Sequence, residues 1–313
     1  MDRLKSVILL MLAALTGCQR EFIPEITTNP NQIVVEGYIE AGDNAAPAYV
    51  ILTKSIPFFQ QFNIAEDFFI KGAEVYVNNG KDSVRLTQIC WKDLDSATQK
   101  VAASLFGINI DSVTKQFNFC VYADIGQKIK GEYGKTYQLR VKTDSVQLTA
   151  STTIPVKVGI DSALFIKPPG INENDTMAQM QCYIRDPSVE SVYYYRLFDA
   201  VNAKPYKARD FSVVDDQFFH GQVIKFNLFN AYPARVAKDE LDGLFYRGDT
   251  VSVKFCGIDH SFFDFRNTLE FNANNGGPFA SYTRVKYNIQ GVGGIGIWGG
   301  YSVAYFTTIV PKK

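Results

Sequence analysis

Apolar and polar residues alternate along most of this chain with the period of strands. Ile33-Val34-Val35-Glu36-Gly37-Tyr38-Ile39 opens the pattern, Ala48 to Leu52 repeats it, and Ala73-Glu74-Val75-Tyr76-Val77 runs into Asn78-Asn79-Gly80. Successive side chains of a strand point to opposite faces, so a period of two marks a surface buried on one side. Asn-Gly after such a run tolerates the left-handed backbone of a hairpin turn, and Val84 to Gln88 is placed to return. Phe117 to Tyr122, Tyr137 to Val141 and Val146 to Thr153 continue the series. Ile154-Pro155 marks a boundary and Val156 to Phe165 leads into a second half. Its strand candidates are Met177 to Arg185, Val192 to Phe198, Gln222 to Phe229, Thr250 to Cys256, Ser281 to Asn288 and Tyr301 to Val310.

Some intervals break the rhythm. Asp93-Leu94-Asp95-Ser96 offers helix starters and Ala97 to Phe106 helix formers, with Gly107 as the stop, so a short helical insertion is expected near 91–116. A further helix is expected near 259–273. Asp259 is a good N-cap, Phe262, Phe265 and Leu269 share one face, and Asn274-Asn275-Gly276-Gly277-Pro278 ends the run. Phe58, Phe59, Phe62, Phe68 and Phe69 lie in a stretch without alternation, which either covers a sheet edge or forms an exposed aromatic surface. The expected architecture is mostly β, with two β-sandwich-like domains. The first, Ig-like or transthyretin-like, spans 31–155; the second, antiparallel β with one short helix, spans 156–313.

Composition adds two constraints. The chain holds 24 Phe and 17 Tyr, which suits half-buried sheet surfaces. Its 32 basic residues balance 32 acidic ones, which argues against nucleic acid as the main partner.

The N-terminus changes the picture more. Asp2, Arg3 and Lys5 precede the apolar run Val7 to Leu15, which is shorter than the roughly 20 residues a membrane-spanning helix needs. Residues 1–17 therefore read as a secretory signal. The ending Leu15-Thr16-Gly17-Cys18 resembles a lipobox, so the mature chain is expected to begin at a lipidated Cys18, palmitate among its acyl groups. Residues 18–30 are polar and Pro-containing and read as a tether. Gln19 rather than Asp follows the cysteine, so the usual inner-membrane retention signal is missing. An outer-membrane lipoprotein on the cell surface or the periplasmic face is expected. Four further cysteines in an exported chain point to two disulfides. Cys90–Cys120 and Cys182–Cys256 are the favoured pairings, with buried thiols as the alternative.

The order of short motifs is also distinctive. The first half carries Val34-Val35-Glu36-Gly37-Tyr38-Ile39, Gly72 to Val77, Gly131-Glu132-Tyr133 and Gly134 to Val141. The second carries Asp186-Pro187, Tyr193-Tyr194-Tyr195-Arg196 and Pro278 to Tyr301. Within that last stretch Asn288-Ile289 precedes Gly291, Gly293, Gly294, Gly296, Gly299 and Gly300. Together these resemble an uncharacterised family of Bacteroidetes outer-membrane lipoproteins, domain of unknown function 4249, across the whole mature chain. Trp298 stands where that pattern has phenylalanine, and Ser281-Tyr282 replace a proline-containing turn. The resemblance implies an accessory lipoprotein beside a TonB-dependent outer-membrane transporter, and it carries no catalytic residues.

Candidate chemistry is sparse. Gly291 to Gly296 matches G-x-G-x-x-G, but that fingerprint needs a helix after it, and here another strand, Tyr301 to Val310, follows. Repeated glycine is better explained by a bulge, a kink or close packing. With two histidines and no H-E-x-x-H, C-x-x-C or G-x-S-x-G, the commonest hydrolase signatures are missing. Cys256, Asp259 and His260 form the best nucleophile candidate. Asp239, Glu240 and Asp242, with Asp215 and Asp216 upstream, are candidate oxygen ligands for calcium, though such clusters usually belong to solvated loops. Arg247-Gly248-Asp249 reads as a turn, and the internal Lys238-Asp239-Glu240-Leu241 is no terminal retention signal.

Asp followed by Ser or Thr and an aliphatic-type residue recurs at Ser83, Ser96, Ser112, Ser145, Ser162, Thr176 and Thr250. This resembles the O-glycosylation signal of exported Bacteroidetes proteins; turn chemistry at strand entries is the competing explanation. The expected function is a non-enzymatic binding or accessory module with no cofactor or metal. A structural or adhesive envelope lipoprotein and an exported hydrolase centred on Cys256 and His260 are the alternatives.

Overall fold

The protein is described from a computed structural model covering residues 32–42, 44–55, 68–99, 119–168, 176–188, 192–207, 212–230, 243–275 and 283–312. Its strands are β1 (Ile33–Gly42), β2 (Tyr49–Lys54), β3 (Glu74–Asn78), β4 (Ser83–Arg85), β5 (Thr87–Cys90), β6 (Cys120–Ala123), β7 (Thr136–Lys142) and β8 (Gln147–Thr153). They continue with β9 (Ser162–Ile166), β10 (Met177–Arg185), β11 (Tyr193–Val201), β12 (Lys204–Lys207), β13 (Val213–Asp215), β14 (Val223–Leu228), β15 (Phe245–Tyr246), β16 (Thr250–Ile258) and β17 (Gly294–Ile309). The helix α1 (His260–Asn274) joins the last two strands. The protein is thus mostly β, as the alternation requires. Even the expected start of the helical insertion is seen, since residues 96–99 are helical and Asp95 accepts from the Ala97 and Thr98 amides at 2.9 and 3.0 Å.

A nine-stranded sheet runs β12-β11-β16-β17-β1-β2-β6-β5, with β13 also on β11. Two four-stranded sheets accompany it: β4-β3-β7-β8, and β14-β10-β15 with β9 on β10. Strand alternation assigns the layers. Val35 and Ile39 of β1 and Trp298 of β17 share a core with Val75, Val77, Leu139, Val141 and Leu148 of the first small sheet. Val251, Val253 and Phe255 of β16 share another with Met180, Cys182 and Ile184 of the second small sheet. Cross-strand partners place both sets on one face of the large sheet, so the small sheets lie side by side against it. The opposite face, carrying Tyr38, Tyr195, Cys256, Ile297 and Tyr301, packs against Phe262 of α1.

Three expectations are corrected. The chain does not divide at Pro155. Residues 31–313 form one compact unit, and β1 pairs in parallel with β17 from Ile33↔Gly294 to Gly42↔Val303, so the central sheet is built from both ends of the chain. Second, Cys182 and Cys256 remain thiols. Cys182 faces the layer between β10 and the large sheet, whereas Cys256 follows Phe255 and so points to the helix face. Among the described residues the one bridge is Cys90–Cys120, at directly opposed positions of β5 and β6 with Cα atoms 4.0 Å apart. Third, residues 283–289 are not a strand, and the glycine-rich segment expected to precede the last strand is itself the first half of β17.

That last correction has a packing reason. β17 is almost continuously buried from Gly294 to Val303, with a layer on each face. At Gly296, φ is +117° and an added Cβ would lie 2.0 Å from the Val35 carbonyl oxygen. At Gly299 an added Cβ would lie 3.0 Å from Phe262 of the helix. Asn288 completes the arrangement from outside the sheet: its Nδ2 donates to the Trp298 carbonyl at 2.8 Å and its Oδ1 accepts from the Trp298 amide at 2.9 Å. The Trp298 indole in turn donates to the Tyr137 carbonyl at 3.0 Å, tying β17 to the first small sheet.

Candidate functional site

Two buried ionic clusters among the described residues differ in their access to water. The first is closed. Glu40 on β1, Lys254 on β16 and Tyr301 on β17 meet on the helix face, where Lys254 Nζ and the Tyr301 hydroxyl each donate to Glu40 Oε1 at 2.7 Å. The other carboxylate oxygen accepts from the Ala46 amide at 3.0 Å. Burial opposes the Lys254 charge, but Glu40 and its neighbours outweigh it and hold the ammonium above its ordinary pKa. Burial first, and the Glu40 charge second, push the Tyr301 hydroxyl well up. These groups satisfy one another.

The second cluster opens to solvent. Asp186 ends β10, Asp216 follows β13, and His220 sits in the turn leading to β14. Their side chains are 0%, 5% and 43% exposed, respectively. His220 Nδ1 lies 2.8 Å from Asp216 Oδ2 and 3.6 Å from Asp186 Oδ2. Backbone amides fix both acids: Gly221 donates to Asp186 Oδ2 at 2.6 Å and Val192 to Asp216 Oδ2 at 2.9 Å. The Tyr194 hydroxyl donates to Asp186 Oδ1. The hydrogen bond to Asp216 is the main cause that raises the His220 pKa above its ordinary value. Burial, then the Asp186 bond, raises that of Tyr194. Among the described residues this is the one group of three or more acidic, histidine or cysteine side chains whose donor atoms all lie within 4.8 Å.

This second cluster was only partly legible. Asp216 stood among the candidate oxygen ligands, but its partner Asp215 lies on β13 outside the cluster. Asp239, Glu240 and Asp242 fall outside the described residues. Asp186 and Tyr194 both lie in the motifs that carried the family resemblance, and His220 is one of two histidines, which was the available signal.

Other expected sites fare differently. Cys18 and residues 1–30 lie outside the described residues, as do Ser112, Phe58, Phe59 and Phe62. Phe68, Phe69 and Phe119 form edge-on ring contacts with centroids 5.2 and 5.3 Å apart. Cys256 is fully buried, and burial pushes its thiol well above the ordinary value, away from the thiolate a nucleophile needs. Asp259 is committed to capping the helix, accepting from the Phe262 amide at 2.8 Å, while His260 lies on the exposed first turn against the Tyr193 ring. Arg247-Gly248-Asp249 forms the turn between β15 and β16.

Ser83, Ser96, Ser145, Ser162 and Thr176 are exposed and Thr250 is half-buried. At Ser96 the preceding Asp95 is already engaged in a backbone turn. An open groove of about 570 Å³ lies apart from both ionic clusters, lined by Ser261, Asp264, Arg284, Val285, Lys286 and Tyr287. Within it Lys286 pairs with Asp264 at 2.9 Å.

Fold and clusters together define a mostly β protein in which one large sheet carries two smaller sheets and a helix. The chain belongs to the family described as Domain of unknown function (DUF4249), which matches residues 19–307. No curated protein matches it. The motifs that carried the resemblance include the close-packed glycines of β17, Asn288 on the Trp298 backbone, and the hydrogen-bonded pair Asp186 and Tyr194.

Proposed function

We propose that this protein is a lipid-anchored accessory module of the outer membrane, acting without catalysis beside a TonB-dependent transporter. The observation that carries the reading is the order signal, Cys18, polar tether, sheet. Fourteen residues lie between Cys18 and Ile33, so a fully extended tether reaches about 50 Å. The Cys90–Cys120 bridge supports an oxidising compartment. The buried Cys256 and the engaged Asp259 supply no nucleophile, which favours binding over hydrolysis.

Metabolic labelling with a palmitate analogue should mark the wild-type protein and not Cys18→Ser. Affinity purification from detergent-solubilised native membranes should then recover a transporter β-barrel with the wild type. Labelling without any barrel in repeated preparations would leave the anchor and remove the transport role. An unlabelled, soluble wild-type protein would remove both.

A further inference from the structure

We propose that Asp186, Asp216 and His220 form a binding site for a divalent transition-metal ion of the zinc class. Three arguments carry it. The first is geometric. In a tetrahedral site with bonds of about 2.0–2.1 Å, neighbouring donor atoms lie roughly 3.3 Å apart. His220 Nδ1 lies 2.8 Å from one carboxylate oxygen and 3.6 Å from the other, on either side of that value. All three donor atoms lie within 4.8 Å of one another, close enough to converge on one ion.

The second argument is electrostatic. Two carboxylates with side chains 0% and 5% exposed face one half-exposed imidazole, and among the described residues no lysine or arginine is paired with either. Burying two such charges together is costly unless a cation compensates. A divalent ion held by both, with imidazole as a neutral third ligand, balances the charge.

The third is the surrounding support. The candidate ligand oxygens are oriented by the Gly221 and Val192 amides, and Asp186 is held on its far oxygen by the Tyr194 hydroxyl. Metal-ligating carboxylates are commonly fixed in this way by a second layer of donors. Each ligand oxygen keeps a lone pair for the ion. One nitrogen with few oxygens suits zinc-class ions, whereas calcium takes six to eight oxygens. The metal replaces the proton between His220 Nδ1 and Asp216 Oδ2, and that proton leaves to solvent.

The test is calorimetric titration of the chelator-stripped, full mature lipoprotein in detergent with zinc chloride. One ion per chain with Kd below about 10 μM is expected. His220→Ala should weaken binding by more than about 100-fold, beyond the loss of a mere supporting partner. Because His220 is on the surface, that variant keeps the test open if Asp216→Asn fails to fold, which far-UV circular dichroism reports. Asp264→Asn, at the separate groove, should bind like the wild type. No zinc heat in the wild type, unaltered binding in His220→Ala, or binding of calcium in preference to zinc would each overturn the proposal.

Discussion

Glu40 and Asp186 are both buried carboxylates, and the contrast between their surroundings separates a lock from an opening. Glu40 is ringed by a lysine and a tyrosine hydroxyl from neighbouring strands and by the Ala46 amide from the loop after β1. Its side-chain partners come from β16 and β17, and Glu40 stands directly opposite Tyr301 in the parallel β1–β17 register. A one-residue slip would move Glu40 to the other face and strand Lys254 without a counterion. The cluster therefore acts on register, the link between the chain's two ends. Asp186 faces a second acid and a histidine that reaches solvent. Its supports are amides and a phenol, which orient charge without neutralising it.

Breaking the closed cluster should have the largest effect. Lys254→Met leaves the Glu40 carboxylate buried without its cation and should cost about 3–5 kcal/mol in urea unfolding. Adding Glu40→Gln should return most of that loss. A double variant as unstable as the single one would show that the lysine acts through packing rather than charge. Tyr194→Phe removes one charged hydrogen bond from the open cluster and should cost about 1.5–3 kcal/mol by the same measurement. His220→Ala should have the smallest effect, visible as a change in pH dependence. The folded-state pKa of His220 is raised, chiefly by its bond to Asp216, with the Asp186 charge and the Ser188 backbone also contributing. Its stabilisation is therefore complete below the unfolded value of about 6.5 and fades as pH rises through the folded value. The difference between wild type and His220→Ala, measured in metal-free buffer, should shrink from pH 5.5 to pH 9. A gap that grows with pH would mean the imidazole is held neutral.

Much of the fold was legible because alternation is a local signal. Met177 to Arg185 was read to the residue, and the helix after Asp259 was placed within one or two residues by its cap and its Phe262–Phe265 spacing. The failures share a cause. β12, β13 and β15 are two to four residues long, too short for a periodic pattern. β17 is buried on both faces at its glycine-rich start, so alternation is lost where the strand is most central. The Cys182–Cys256 pairing failed because cysteine count carries no information about which face of a sheet each thiol occupies.

Residue order alone was enough to identify the β class and the family, both of which are written in short contiguous stretches. Long-range association decided the rest. Parallel pairing of Ile33–Gly42 with Gly294–Val303 merges the two expected halves around one sheet. It also brings Glu40 to Lys254 across 214 residues of chain, while the packing of β10, β11 and β13 brings Asp186 to Asp216 and His220. Local spacing fixes which way a side chain points along its own strand; only the packing of separate strands determines which charges must share one buried volume.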